Sequence, residues 1–482
     1  MNDRRSRGSV RRPARQQAQV SAARLAAYDV LRDVEDRDAY ANLALPARIR
    51  EAGLDSRDAG LATELVAGTL RGRGRYDRII ELAADRDISS IDPSTRNVLR
   101  LGTHQLLSMR TAAHAAVNES VELQRKVSKA AAAGFVNGVL RTIQRSSSEE
   151  WDRRIEETAG SADEALAARA SHPQWIIRAL RSALRAEGRE HELEALLAAD
   201  NTAAKLGLAL LPASGIDIDT ADALGGEYGL SADGPSPIGL TLTQGDPARV
   251  MGALDVPEGT LRVQDHGSQL AALLLARARA VRPGERWLDL CAGPGGKTAV
   301  LAAEAEGTGA TLRANEVAAH RTALVRRSVV AYADSVDLVN HDGRDDAAYG
   351  GGSFDRILVD APCTGLGALR RRPEARWRKQ PSDLAELTKL QDELLEAAVT
   401  HLAPGGLLAY VTCSPHLSET RIAVKRLRER HPELHELDAR VLAQEVAREP
   451  LDLAGDALSV QLWPHRHGTD AMFIALLQRA ED

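Results

Sequence analysis

Three cysteines stand where short apolar runs end. Cys291 lies in WLDLCAGPGGKT, Cys363 in ILVDAPCTGLG and Cys413 in LAYVTCSP. Each context reads as a buried strand running out into a loop, and in open α/β sheets chemistry collects where strands end. A thiolate is a strong nucleophile once its pKa is lowered, which nearby positive charge or a helix N-terminus achieves. Three thiols at three strand ends predict one crevice with at least one nucleophile. Buried cysteines are usually inert small hydrophobes. That bland reading suits Cys291, which sits in a tight turn. It suits Cys363 and Cys413 less well, because two loop thiols at neighbouring strand ends can reach one substrate atom.

The residues around the cysteines suit a cofactor. Cys291-Ala292-Gly293-Pro294-Gly295-Gly296-Lys297 joins a strand to a helix. Glycines let the backbone approach a ligand and adopt positive φ, and the helix N-terminus offers free N–H groups. A nucleotide-like or carboxylate-bearing cofactor fits this description. The turn is not a Walker A loop, whose spacing would need glycine at position 291, and it is not GxGxxG. Glu316 ends the next strand, where an acid can take both ribose hydroxyls of an adenosine. Asp342, in Asp342-Gly343-Arg344, follows the third strand and could hold an adenine amino group, although Asp-Gly is also an ordinary turn. Asp360 closes the strand that leads to Pro362-Cys363.

The elements that position these groups follow from periodicity. From 264 to the end, strands expected at 286–290, 311–315, 336–339, 356–360, 407–412, 460–463 and 471–477 alternate with helical patterns such as 383–401. This predicts an α/β, largely parallel, doubly wound sheet of seven strands ending in an antiparallel edge hairpin. Residues 171–263 read as a small α+β subdomain and 146–170 as a linker, with the linker-like run at Ser146–Glu150 and a helical pattern resuming over 152–200. Residues 19–145 are helical throughout, with five to seven helices, Asp92 capping Pro93 and Asn118 capping ESVELQRKV. Residues 1–18 read as a disordered basic arm.

Hydrophobic residues at 44% and charged residues at 27% describe an ordinary globular protein. Three cysteines cannot form a disulfide framework, and no apolar stretch is long enough for a bilayer. These features predict a cytoplasmic protein, read here as a monomer. The net charge of −6 gives no global basic field. Basic residues cluster locally, however, and Arg370, Arg371, Arg372 and Arg376 directly follow a cysteine motif. The sequence His465-Arg466-His467 reads as a surface HxH without partner cysteines, so no metal is expected.

Together LDLCAGPGGKT, DAPCTGLGALRRRPEARW and YVTCS resemble the RNA cytosine-C5 methyltransferases of the NSUN/RsmB type, over roughly residues 170–482. VNESVELQRKV and FVNGVLRTI are similar to NusB, an RNA-binding antitermination factor, and SHPQW and QDHGSQLAA look like RsmB-type segments. A NusB-like domain (19–145) ahead of this catalytic domain (264–482) is the layout of the RsmB-type 16S rRNA enzymes. The resemblance implies a class I, Rossmann-like methyltransferase using S-adenosylmethionine on RNA, most simply one cytosine of 16S rRNA. A transfer-RNA enzyme of the same chemistry, or a non-catalytic assembly factor, are the competing readings. It implies Cys413 as the thiol that adds to cytosine C6 and Cys363 as the thiol that helps break the adduct. It also implies cofactor binding by Cys291–Lys297, Glu316, Asp342 and Asp360, and phosphate contacts by Arg370, Arg371, Arg372 and Arg376. Ser418-Glu419-Thr420 departs from the family's Glu-Glu-Asn.

Overall fold

The structure, a computed structural model, describes residues 20–243, 245 and 247–481. The arm expected at 1–18 lies outside them. The chain forms two compact units that divide between Ser171 and His172. The expected subdomain 171–263 and domain 264–482 thus fall almost wholly in one unit.

The first unit is all helix. Seven α-helices lie between Ala22 and Gln144. Asp92 accepts from the Thr95 N–H at 3.1 Å and starts helix Pro93–Leu107, with proline at its first position as expected. Asn118 is not a cap. Its helix already begins at Ala113, because Ala116 and Val117 belong to the same buried stripe.

Residues 146–170 are not a linker. Ser147 and Glu150 form a reciprocal capping box on helix Ser148–Thr158, and helix Ala162–Ala170 follows. Trp151 and Ile155 are buried in the unit's core, and the Trp151 indole donates to the Ile143 carbonyl at 3.1 Å. The serine run that resembles a linker is a helix start.

The second unit opens with helices Gln174–Arg185 and Leu193–Asp200. Strands β1 (Leu206–Leu210), β2 (Leu230–Ser231), β3 (Gly239–Leu242) and β4 (Leu261–Val263) then make a small antiparallel sheet in the order β2-β3-β1-β4. After helix His266–Arg277 come β5 (Arg286–Asp289), β6 (Thr311–Asn315), β7 (Val336–Val339), β8 (Phe354–Asp360), β9 (Leu402–Thr412), β10 (Leu434–Leu437), β11 (Val460–Gln461) and β12 (Phe473–Arg479).

Seven of these eight strands follow one path, β10-β12-β9-β8-β5-β6-β7, and β11 pairs only onto β12. Pairing from β9 through β7 is parallel, and β12 runs antiparallel to β9 and β10. The antiparallel pairing expected of the last two strands forms, but not as the sheet edge. The segment at 460–463 contributes two paired residues, and the edge belongs to β10, whose half-polar LHEL is too short and too mixed to stand out as a strand.

Consecutive residues of β5 point to opposite faces. Trp287 packs under helices His266–Arg277 and Gly296–Glu306, whereas Leu288 packs under helix Asp383–Thr400. Both faces are covered, which is why the strands are nearly continuous apolar runs. The chain leaves β5 toward β7, then returns to place β8 on the other side of β5. Strand order therefore reverses between β5 and β8, and the crevice for ligands lies at their C-terminal ends. No helix among the described residues is long and apolar enough to cross a membrane.

Candidate active site

Cys363 follows β8 and Cys413 follows β9. These neighbouring parallel strands align Asp360 with Val411, which brings the loops together. The two Sγ atoms stand 3.4 Å apart. Gly367 fastens this arrangement. Its N–H donates to the Cys413 carbonyl at 2.8 Å and its carbonyl accepts from the Ala471 N–H at 2.9 Å. A Cβ here would lie 2.0 Å from the Ala471 oxygen, so the position requires glycine.

The two thiols have unequal surroundings. The Cys413 thiol is held below its ordinary pKa, first by the hydrogen bond from Cys363 and also by the Lys297 ammonium, against burial and the carboxylates of Asp360 and Asp470. Cys363 is pushed well above the ordinary value, by that same hydrogen bond, by burial and by the Glu419 charge. Lys297 donates to Asp360 at 2.8 Å, and this partner keeps it charged although only 9% of its surface is exposed. Burial raises the Cys291 thiol well above its usual range.

The cofactor-type turn follows β5. Gly295 has φ +104°, and a Cβ there would strike Ser328 at 2.4 Å. The Gly293 N–H donates to Glu316 Oε2 at 3.0 Å, and the Ala318 N–H donates to Glu316 Oε1 at 2.9 Å, so an acid at the end of β6 is pinned against the turn. Asp289 is buried and its carboxyl is raised to about 7, chiefly by burial; its Oδ2 accepts from Thr298 at 2.7 Å. Asp342 behaves differently. Both its oxygens accept from the Arg344 guanidinium, which holds the carboxyl at about 2.

Residues 276–478 match the family described as 16S rRNA methyltransferase RsmB/F, and residues 21–145 match the NusB family. A Mycobacterium tuberculosis (strain H37Rv) protein, named as a methyltransferase with no substrate, is 47% identical over 98% of this chain and 99% of its own. Ribosomal RNA small subunit methyltransferase B of Pseudomonas putida is 34% identical over 86% of this chain and 91% of its own. The crystal structure of the protein PH0851 matches the fold with a TM-score of 0.77 at 22% identity, over 96% of this chain and all of that one. The chain belongs to the RsmB/F methyltransferase family.

RsmB/F enzymes are class I rRNA methyltransferases, and their methyl donor is S-adenosylmethionine. The β5 turn fits that group. A Cβ at Gly293 would lie 2.1 Å from Glu316 Oε2 and one at Gly295 2.4 Å from Ser328, so the turn can pack this closely onto Glu316 only with glycine. Gln264 Oε1 and Asp289 Oδ1, two buried acceptors that flank the turn, have no hydrogen-bond partner among the described residues.

The basic cluster needs correction. Arg376 is fully buried and donates to Asn201 Oδ1 at 2.6 Å and to the Asp200 carbonyl at 2.8 Å. Arg370 is buried on Asp470 and the Gly468 carbonyl, and Arg371 pairs with Asp265 and Asp470. These three arginines tie the loop after Cys363 to Asp265, to Gly468 and Asp470, and to Asp200 and Asn201, and those partners occupy the donors named. Arg372 alone of the four is exposed. The His465-Arg466-His467 segment is not a surface feature either, since His465 and Arg466 pair with Glu192 and are largely buried. Glu419, Gln391 and Gly367 were absent from the sequence-derived site. The second glycine of TGLG carried a local signal, and so did Glu419, the one residue of Ser418-Glu419-Thr420 that matches the family's Glu-Glu-Asn.

Proposed function

We propose that the protein methylates C5 of a cytosine in 16S rRNA through a covalent bond between Cys413 and C6. The observation that carries this reading is the pair of touching thiols, with Lys297 on the Cys413 side. Cytosine C5 is a weak nucleophile. Addition of the Cys413 thiolate to C6 makes it carbanion-like, which is covalent catalysis. Bound S-adenosylmethionine supplies an electrophilic methyl group to that carbon. Residues 291–297 and Glu316 are proposed to hold it, with Glu316 on the ribose hydroxyls. Asp342 would join them at the adenine once it releases Arg344.

After methylation a base takes the C5 proton, the C5–C6 double bond re-forms, and the C6–S bond breaks to return Cys413 as a thiolate. Cys363, protonated and in contact with that sulfur, assists the release. Asp360, paired with Lys297 and three residues before Cys363, is proposed to contact the cytosine ring. The target base must leave its stack to reach the crevice. Arg372 remains the candidate phosphate contact of the basic cluster.

Transfer of labelled methyl groups to 16S rRNA tests the reading. Cys413→Ser should abolish transfer, and retained activity would remove Cys413 as the nucleophile. Cys363→Ala should accumulate a protein–RNA adduct that survives denaturation. Normal turnover without adduct would refute the release role. Bisulfite mapping of rRNA from a deletion strain then names the cytosine.

A further inference from the structure

The loops that carry the two thiols share one buried support. Glu419, fully buried, accepts from four uncharged donors: the Thr364 N–H at 2.8 Å, the Thr364 hydroxyl at 2.5 Å, the Ser414 hydroxyl at 2.7 Å and the Gln391 amide at 3.2 Å. Thr364 is the residue after Cys363, and Ser414 is the residue after Cys413. Gln391 also donates to the Pro362 carbonyl at 2.8 Å, bracing the same loop from helix Asp383–Thr400. The Tyr410 hydroxyl holds the Glu419 carbonyl at 2.7 Å.

Hydrogen bonds to a buried ion are worth more than neutral ones, and losing such an acceptor leaves its donors unsatisfied. A carboxylate that takes donors from both loops and from their brace fixes the loops against each other more firmly than backbone pairing alone. The Glu419 charge raises Cys363, after the Cys413 hydrogen bond, burial and the Cys413 charge, whereas Cys413 is lowered by the Cys363 hydrogen bond and by Lys297.

We propose that Glu419 is a positioning residue for the two thiols: it bridges their loops and so holds Cys363 against Cys413, and its charge adds to what keeps Cys363 the donor of the pair. This rests on Cys413 being the attacking thiol. It extends that reading by naming what holds the pair in place.

The test reads the thiols directly, without RNA. Full-length protein is treated with iodoacetamide near neutral pH, and alkylation of Cys363 and Cys413 is quantified by peptide mass spectrometry. Wild type should favour Cys413. Glu419→Gln should lower the Cys413-to-Cys363 ratio about tenfold, and should lower methyl transfer at least as much. Glu419→Asp keeps the charge but cannot span both loops, so it should lose transfer while Cys413 stays preferred. Melting curves and S-adenosylhomocysteine affinity establish that each variant is folded.

Wild-type transfer in either variant overturns the proposal. So does an unchanged labelling ratio in Glu419→Gln, which would leave a merely structural role. Should Glu419→Gln not fold, Glu419→Asp decides: lost transfer with Cys413 preferred supports the proposal, and a collapsed ratio sinks it. Activity in Cys413→Ser would instead refute the nucleophile, an outcome the labelling ratio does not depend on.

Discussion

Two sulfur atoms in contact cannot both ionise without strong mutual repulsion, so the identity of the thiolate is decided by their neighbours. On the Cys413 side the neighbour is Lys297, a lysine from the glycine turn. Replacing it with methionine removes that cation, and the Cys413 pKa rises. Cys413 must be deprotonated to act, so activity exists above its pKa and is lost as pH falls through it. For Lys297→Met the loss should begin at higher pH. Turnover near neutrality should fall about tenfold for each pH unit by which the acid limb moves. A pH profile of kcat at saturating cofactor measures this. An unmoved acid limb would assign the lowered pKa to the Cys363 hydrogen bond alone. The residue types of this site were legible in the chain, because thiols and glycines beside strand ends form local patterns. Lys297 was expected among the cofactor contacts, and its place beside Cys413 was not visible, since residues 297 and 413 meet only through the sheet.

At the level of elements, the central strands and the helices between them were readable because both periods are local: apolar runs for doubly covered strands, three- and four-residue spacing for helices. Elements whose identity depends on a partner were missed. Strand β10 exists because β12 pairs with it, and its own four residues do not announce it. Residues 146–170 looked like a linker because serines and glutamates mark both loops and capped helix starts. What separates the two cases is Trp151, buried in the first unit's core. Trp151→Ala should destabilise that unit by about 3–5 kcal/mol, against roughly 0.5 kcal/mol or less for a residue in an exposed connection. Thermal melting followed by circular dichroism distinguishes these outcomes, and an unchanged melting temperature would restore the linker.

Across the whole molecule, the chemistry-bearing motifs lie in the second unit and the NusB-like helices in the first. A fragment of residues 172–482 should therefore fold and bind S-adenosylhomocysteine with an affinity within about threefold of the full chain. Calorimetry tests this, and failure to bind would show that the fragment is not sufficient for the cofactor site. The arginines following Cys363 show the limit of reading charge from sequence. Arg370, Arg371 and Arg376 look like a phosphate-binding cluster in the chain, yet Asp265, Asp470 and Asn201 occupy their donors in the fold. By itself the sequence carried the family, the α/β class, and the glycine turn and cysteine motifs of the candidate site, because each is written in contiguous residues whose types the chemistry dictates. Only the tertiary structure decided how the surroundings of the two thiols differ, which arginines face solvent and which strand forms the edge. Those outcomes depend on burial and on partners distant in the chain, and no short stretch of sequence contains either.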